Sequence, residues 1–167
     1  MTIWTIILRF QFKQFWELFV LSIKYPLYVY PTLKATAKSF QIAKNEFPKA
    51  HGKKGKANAF RHAFWNAYIC YACTKWSKNR QGIITWADLI TAKHEELSPN
   101  EPLDKIMDLH NNKVGRTVFY AQSFENVNEI RESVKKELES AKKVSNASEI
   151  KEGDDMLIYI QEDESSF

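Results

Sequence analysis

The chain has 167 residues, with 24 Lys and Arg against 20 Asp and Glu, for a formal charge of +4. That excess permits attraction to phosphate-bearing surfaces but is too mild for nucleic-acid binding to be read from charge alone. A hydrophobic share of 44% and a charged share of 26% are those of a soluble globular protein, and the length suits one domain with a sizeable core. The aromatic share of 14%, with five Trp and eleven Phe, is high and leaves rings available to face lipid or a partner.

The first segment, Ile3 to Ile23, is apolar but interrupted by Arg9, Lys13 and Glu17, with Lys24 just beyond it. A spanning helix needs about 20 mainly apolar residues, and no basic start or small-residue cleavage site marks a signal peptide. A cytoplasmic or peripheral membrane location is therefore expected. Arg9, Lys13 and Glu17 recur at steps of four, which gathers charge in one stripe and leaves Trp4, Ile7, Leu8, Phe12, Phe15, Trp16, Phe19 and Val20 on a wide apolar face. Such a face either packs into the core, the commoner use, or lies in a membrane interface through residues 3–23.

After a turn at Tyr25-Pro26 that ends at Pro31, Thr32 to Phe47 predicts a helix with Leu33, Ala37, Phe40 and Ala43 on one side, stopped by Pro48. The loop Lys49 to Lys56 is basic and carries glycines, yet no Ser or Thr follows a Gly-Lys pair as a nucleotide cradle requires. It reads as a solvated loop, with steering of phosphate left open.

A helix is predicted from Asn58 to Trp76. Asn58, His62 and Asn66 stand four apart on one ridge, with Arg61 and Trp65 on the next, while Phe60, Phe64 and Ile69 anchor other faces. One His in an apolar helix is more often a hydrogen-bonded core residue. Two Asn on its own ridge and an Arg beside it point to a site instead, since each buried polar group left without a partner costs about 1–3 kcal/mol. Cys70 and Cys73 are spaced as C-x-x-C without the further ligands of a zinc site or the strand and turn of a redox motif, so they read as buried thiols.

Asn79 to Ile84 reads as a turn and Trp86 to Leu97 as a helix, with Asp88, Thr91 and Glu95 on one face and His94 beside Glu95. No second His follows at the spacing of a zinc-protease helix. Ser98 to Pro102 forces a break. Beyond it, Asp108, Asn111 or Asn112, and Gly115 can share a face, and Gly115 admits close approach of a backbone or ligand. Arg116 adds a cation with bidentate geometry. Thr117 to Ala141 predicts a helix, Val144 to Asp155 a polar loop, Met156 to Ile160 a short strand or docking segment, and residues 161–167 a mobile acidic tail. The expected architecture is all-α: one compact multi-helix domain over 1–160 with an amphipathic aromatic N-terminal helix, its motif core at 58–116, and the tail.

The run NAFRHAFWNA, the following HE and the run MDLHNNKVGR together resemble an uncharacterised bacterial domain family found alone and as the C-terminal, toxin-like module of polymorphic secreted proteins. The resemblance covers Asn58 to Arg116, and three motifs in the same order make it specific. It implies an all-helical fold with Arg61, His62, Asn66, Glu95, Asp108, Asn112 and Arg116 around one site. It supplies no reaction.

The residues themselves suggest one. His62 can act as general base toward water, with Asp108 orienting the imidazole or helping to hold a cation. Arg61 and Arg116 would stabilise charge developing on a phosphoryl or acyl oxygen. Asn58, Trp65, Asn66, Asn111 and Asn112 would position substrate or water. Glu95 would serve as a second proton carrier or metal ligand, and His94, Glu95 and Asp108 are the candidate ligands for a divalent ion such as Ca²⁺, Mg²⁺ or Zn²⁺. These roles describe a hydrolase of ester or phosphodiester bonds. The aromatic N-terminus favours a phospholipid over nucleic acid or another phosphate-bearing substrate.

Two other readings stand beside it. The order His62, His94-Glu95, Asp108 is similar to the His, His-Asp, Asp order of helical metal-dependent phosphohydrolases, including nucleases, with Glu in place of Asp. A non-catalytic membrane-peripheral or partner-binding module would use the same polar groups as a fully satisfied network, and would have no open pocket at His62.

Overall fold

The architecture is helical, as expected. The computed structural model describes residues 16–48, 54–98, 100–151 and 153–161; the expectations placed on 3–15, on 49–53 and on the tail beyond 161 lie outside them. Among the described residues six helices follow in order: α1 (16–24), α2 (Pro26–Glu46), α3 (Lys56–Cys73), α4 (Arg80–Leu97), α5 (Pro102–Ala121) and α6 (Val127–Glu139). One turn of 3₁₀ helix, Ala147–Glu149, comes next. Met156 to Ile160, expected as a short strand or a docking segment, contains β2 (Ile158–Tyr159), which pairs in parallel with β1 (Lys142–Lys143), Lys142 opposite Ile158. No helix among the described residues is long and apolar enough to cross a membrane.

α3 is the centre of the molecule, packed against α2, α4, α5, α6 and β2. Its sequence explains the position. A helix with apolar side chains all round must be covered on every side, and Phe60, Phe64 and Ile69 are fully buried together with Ala59, Ala63 and Ala67. Phe60 and Phe64 stack with centroids 5.4 Å apart. Cys70 and Cys73 are free and buried in this core, where burial pushes both thiols up, Cys73 to about 12, which leaves them protonated and unreactive.

Three element boundaries differ from the sequence expectation. α2 begins at Pro26 and runs through Pro31, where a turn was expected, because a proline at the first helical position loses no helical bond and an internal one gives up only a single N–H. α4 starts at Arg80 rather than Trp86: the Asn79 side chain accepts from the Gly82 N–H at 2.9 Å and caps a first turn that glycine alone would weaken. The helix expected from Thr117 to Ala141 is two helices. Asn126 caps α6 by accepting from the Asn128 and Glu129 N–H groups, and Glu129 reaches back to the Glu125 N–H at 2.8 Å. The Arg80 guanidinium gathers the Phe119, Tyr120 and Gln122 carbonyls at the end of α5, so α5 is closed by a cation from another helix.

The side of α2 that meets α3 is not its large apolar one. Of the four residues placed on one side by the spacing, only Ala43 is buried; Leu33 is 66% exposed, Phe40 51%, and Ala37 is exposed too. Small and hydroxylated residues turn inward instead: Thr32, Ala35 and Ser39. They let α2 lie close to α3, and two hydroxyls satisfy buried indoles. Trp86 Nε1 donates to Thr32 Oγ1 at 2.8 Å and Trp65 Nε1 to Thr36 Oγ1 at 2.9 Å. α1 is tied to α4 by an ion pair, Glu17 to Lys93, at 2.6 Å.

Candidate functional site

Three helices converge on His62. From α3, the ridge Asn58, His62, Asn66 faces inward, all three buried; from α4 comes Glu95, and from α5 Asp108 and Asn112, likewise buried. His62 Nε2 lies 3.3 Å from Asp108 Oδ1. On the other side, Nδ1 lies 3.2 Å from Asn112 Oδ1 and 3.4 Å from Glu95 Oε1. Both ring nitrogens therefore face acceptors, an arrangement that holds the ring in place and makes proton position along the line adjustable.

Amides brace the carboxylates. Asn58 donates to Asp108 Oδ1 at 2.7 Å and Asn100 to Oδ2 at 3.1 Å, while the Arg61 guanidinium donates to Asn58 Oδ1. Asn112 Nδ2 reaches Glu95 Oε1 at 3.5 Å. Behind the ring, Asn66 donates to Asn112 Oδ1 at 2.7 Å and accepts from Thr91 Oγ1 at 3.1 Å and Arg116 Nη1 at 2.8 Å. Arg116 also pairs with Asp88 at 2.7 Å. Asp88, Thr91 and Glu95, one helix face in the sequence, thus each engage this network at successive turns.

A cavity of about 290 Å³ opens onto this cluster, walled by Arg61, His62, Trp65, His94, Glu95 and Asp108 together with Ser39, Phe40, Ser98, Asn100 and Asp104. Among the described residues, two buried side-chain atoms lack a hydrogen-bond partner: Ser39 Oγ and Glu95 Oε2. Both residues line this cavity. A buried polar atom without a partner is costly and marks a place where a water, ion or substrate atom belongs.

The electrostatics follow from burial. It pushes the Asp108 carboxyl up to about 7, with the nearby Glu95 adding to the rise and the Asn58 hydrogen bond and Arg61 opposing it. It pulls His62 down to about 3, with Arg61 adding to the fall. Glu95 is raised and His94 lowered, burial being the main cause in each. The site therefore favours a neutral imidazole beside a carboxyl that exchanges its proton near neutral pH, while Arg61 stays cationic.

His62, Glu95 and Asp108 also bring one ligand atom each within 4.8 Å of one another and could hold a metal ion. The sequence placed His94 in that set. The structure sets the His94 ring edge-on to Trp65 at 5.1 Å, in the cavity wall, and His62 completes the group. Asn111 is turned toward β2, where it donates to the Ile158 carbonyl and accepts from the Ile158 N–H, both at 2.9 Å. Asn111→Ala is expected to lower stability by about 2 kcal/mol in urea unfolding, because both buried backbone groups lose their partner. His110 likewise bonds the Met156 carbonyl at 2.8 Å. Asn100, Ser39 and Phe40 belong to the site without having been read from sequence; the first sits in a Pro-flanked break, and the others stand on α2, 19 and 18 positions before Asn58.

A small, all-helical domain with one polar centre on three helices is thus the class that the fold defines. The chain belongs to the family described as a domain of unknown function, DUF6973, whose model matches residues 19–142. Comparison with curated proteins finds no match. Among solved structures, a chain of the complex of human WLS with WNT8A is similar over 83% of this chain and 69% of that chain, with a TM-score of 0.68 and 16% identity. That likeness is one of fold.

Proposed function

We propose that the protein is a hydrolase of ester or phosphodiester bonds, with a phospholipid as its preferred substrate. The observation that carries this reading is an open cavity whose floor is a histidine held between two buried carboxylates. A purely structural network would close over His62 and satisfy every polar atom; here Ser39 Oγ and Glu95 Oε2 are left without partners at the cavity wall.

In the reaction, the His62–Asp108 pair takes a proton from a water in the cavity as the water oxygen bonds to the carbonyl carbon or phosphorus. The ester bond to the leaving oxygen then breaks, and that oxygen takes the proton back. Arg61 lines the cavity and stabilises negative charge on the acyl or phosphoryl oxygen. Asn58 and Asn100 hold the Asp108 carboxyl, and Asn112 holds the imidazole. Asn66 and Arg116 fix Asn112 from behind.

A metal-assisted form is favoured by one observation, the unpartnered Glu95 Oε2 on a carboxylate spaced to share an ion with the His62 ring nitrogen and the Asp108 carboxylate. A divalent ion there would polarise the bound water and the scissile group. The test is incubation with mixed phospholipid vesicles, read by lipid mass spectrometry, in EDTA and after addition of Ca²⁺, Mg²⁺ or Zn²⁺. Release of lysophospholipid, fatty acid or headgroup supports the hydrolase and names the bond cut. Activity that EDTA abolishes and one ion restores assigns the metal-assisted form; intact lipid in every condition rejects phospholipid as substrate.

A further inference from the structure

α1 and α2, which follow one another in the chain, both leave large apolar side chains outside. Phe19, Val20 and Ile23 share the outward side of α1, and Leu27, Leu33 and Phe40 are likewise exposed on α2. Single exposed apolar residues are ordinary, but a run of them along two consecutive helices is not. The charge pattern is equally uneven. From Leu18 to Asn45 the chain holds Lys24, Lys34, Lys38 and Lys44, all exposed, and no Asp or Glu. On α2, Leu33, Ala37 and Phe40 fall on one side of the outward surface, and Lys34 and Lys38 on its flank.

Beside this face a groove of about 520 Å³ runs between α2 and α3, with Lys34, Lys38 and Lys75 among Tyr30, Tyr71 and Trp76. No carboxylate is among its lining residues. Tyr30 meets Trp76 edge-on at 5.8 Å, and the Lys75 ammonium stands 6.0 Å from the Tyr71 ring. Lysines with Tyr and Trp around an open groove are the groups that settle at the level of lipid headgroups.

We infer that the outward face of α1 and α2 docks on an anionic lipid bilayer, with the lysine-aromatic groove taking a phosphate headgroup. An apolar face with cationic flanks and no intervening carboxylate matches the acyl and headgroup layers of such a surface and repels basic partners. Phe40 belongs both to this face and to the wall of the His62 cavity. Docking therefore turns the cavity mouth to the bilayer. The docking stands on the surface alone; delivery of lipid to the cavity rests on the hydrolase reading above.

The test is co-sedimentation of the full chain with vesicles of phosphatidylcholine alone or mixed with phosphatidylglycerol. The wild type is expected to sediment with the mixed vesicles, more weakly as salt rises, and poorly with the neutral ones. Lys34→Glu with Lys38→Glu should weaken binding by about tenfold or more, and Ile23→Ser with Leu33→Ser should do so without lowering the melting temperature. The second pair should also leave hydrolysis of monomeric short-chain phosphatidylcholine unchanged while hydrolysis of vesicles falls. His62→Ala should bind vesicles as the wild type does but not cleave them; binding by the wild type without any lipid cleavage would sink the hydrolase and leave the docking surface standing. The inference is overturned if the wild type ignores both vesicles, or binds both equally at any salt. It is overturned as well if the face proves to hold a second copy, as a dimer dissociated by Ile23→Ser with Leu33→Ser, or if the lysines retain nucleic acid but not vesicles.

Discussion

Gly115→Ala is expected to lower stability by about 3 kcal/mol and the melting temperature by roughly 10 °C. A methyl group at this position would fall on the Ala63 carbonyl of α3, 2.7 Å from its carbon and 2.8 Å from Ala63 Cα. Both obstacles are backbone inside packed helices, so α3 and α5 must separate to make room. Ala63 follows His62 directly, and Asn112 and Arg116 flank Gly115 on α5. The separation therefore stretches the 2.7 Å bond from Asn66 to Asn112 and the 3.2 Å contact from Asn112 to His62. Thermal unfolding followed by circular dichroism checks this; a melting point within a degree or two of the wild type would show that the two backbones are not in contact. Gly82→Ala is the contrast. Its methyl would meet the movable Asn79 cap, 2.8 Å from Nδ2, and is expected to cost about 1 kcal/mol or less.

Under the hydrolase function proposed above, His62→Ala is expected to leave a folded chain whose lipid hydrolysis is about a thousandfold slower, the scale of a lost general base. Asp108→Asn should be comparably inactive, yet its stability should move the other way. In the folded chain Asp108 keeps its proton up to about 7, whereas an unfolded carboxyl loses it near 4, about its reference value. The folded state thus binds the extra proton between those limits, and the ionised, buried form burdens folding above them. Asp108→Asn removes that burden, so at pH 8 it should be more stable than the wild type by about 2 kcal/mol, with the difference closing as pH falls toward 4. His62 acts oppositely below its ordinary value: the unfolded ring binds a proton that the buried ring refuses down to about 3, so stability falls as pH drops through that window. Urea unfolding of wild type and Asp108→Asn at pH 5 and pH 8 separates the two. A variant less stable at both pH values would mean that the carboxylate is compensated in the fold and is no strained acid–base group.

The exposed apolar face of α1 and α2 could only be half read from the chain. A wide apolar face on the N-terminal helix and the basic, aromatic composition were visible. That α2 presents Leu33 and Phe40 outward and hides Thr32 and Ser39 was not, because periodicity marks that a helix has an apolar side without saying whether that side or its small-residue side meets the neighbour. The large side chains would have kept α2 away from α3, and the indoles of Trp65 and Trp86 would have lost their hydroxyl partners.

What the sequence by itself determined is the helical class and which polar residues share a face on each of three helices. Asn58, His62 and Asn66 at steps of four, Asp88, Thr91 and Glu95 on one side of the next helix, and Asp108, Asn112 and Gly115 on the third each define a face by helix geometry alone. Polar groups in apolar helices require partners, which foretold their convergence. Only the tertiary structure decided which partner each took. It gave Asp108 the far ring nitrogen of His62 and Asn112 and Glu95 the near one, set His94 against Trp65, and turned Asn111 to the backbone of β2. The register between helices decides these pairings, and that register comes from close packing, as of the bare Gly115 backbone against Ala63, which no local spacing encodes.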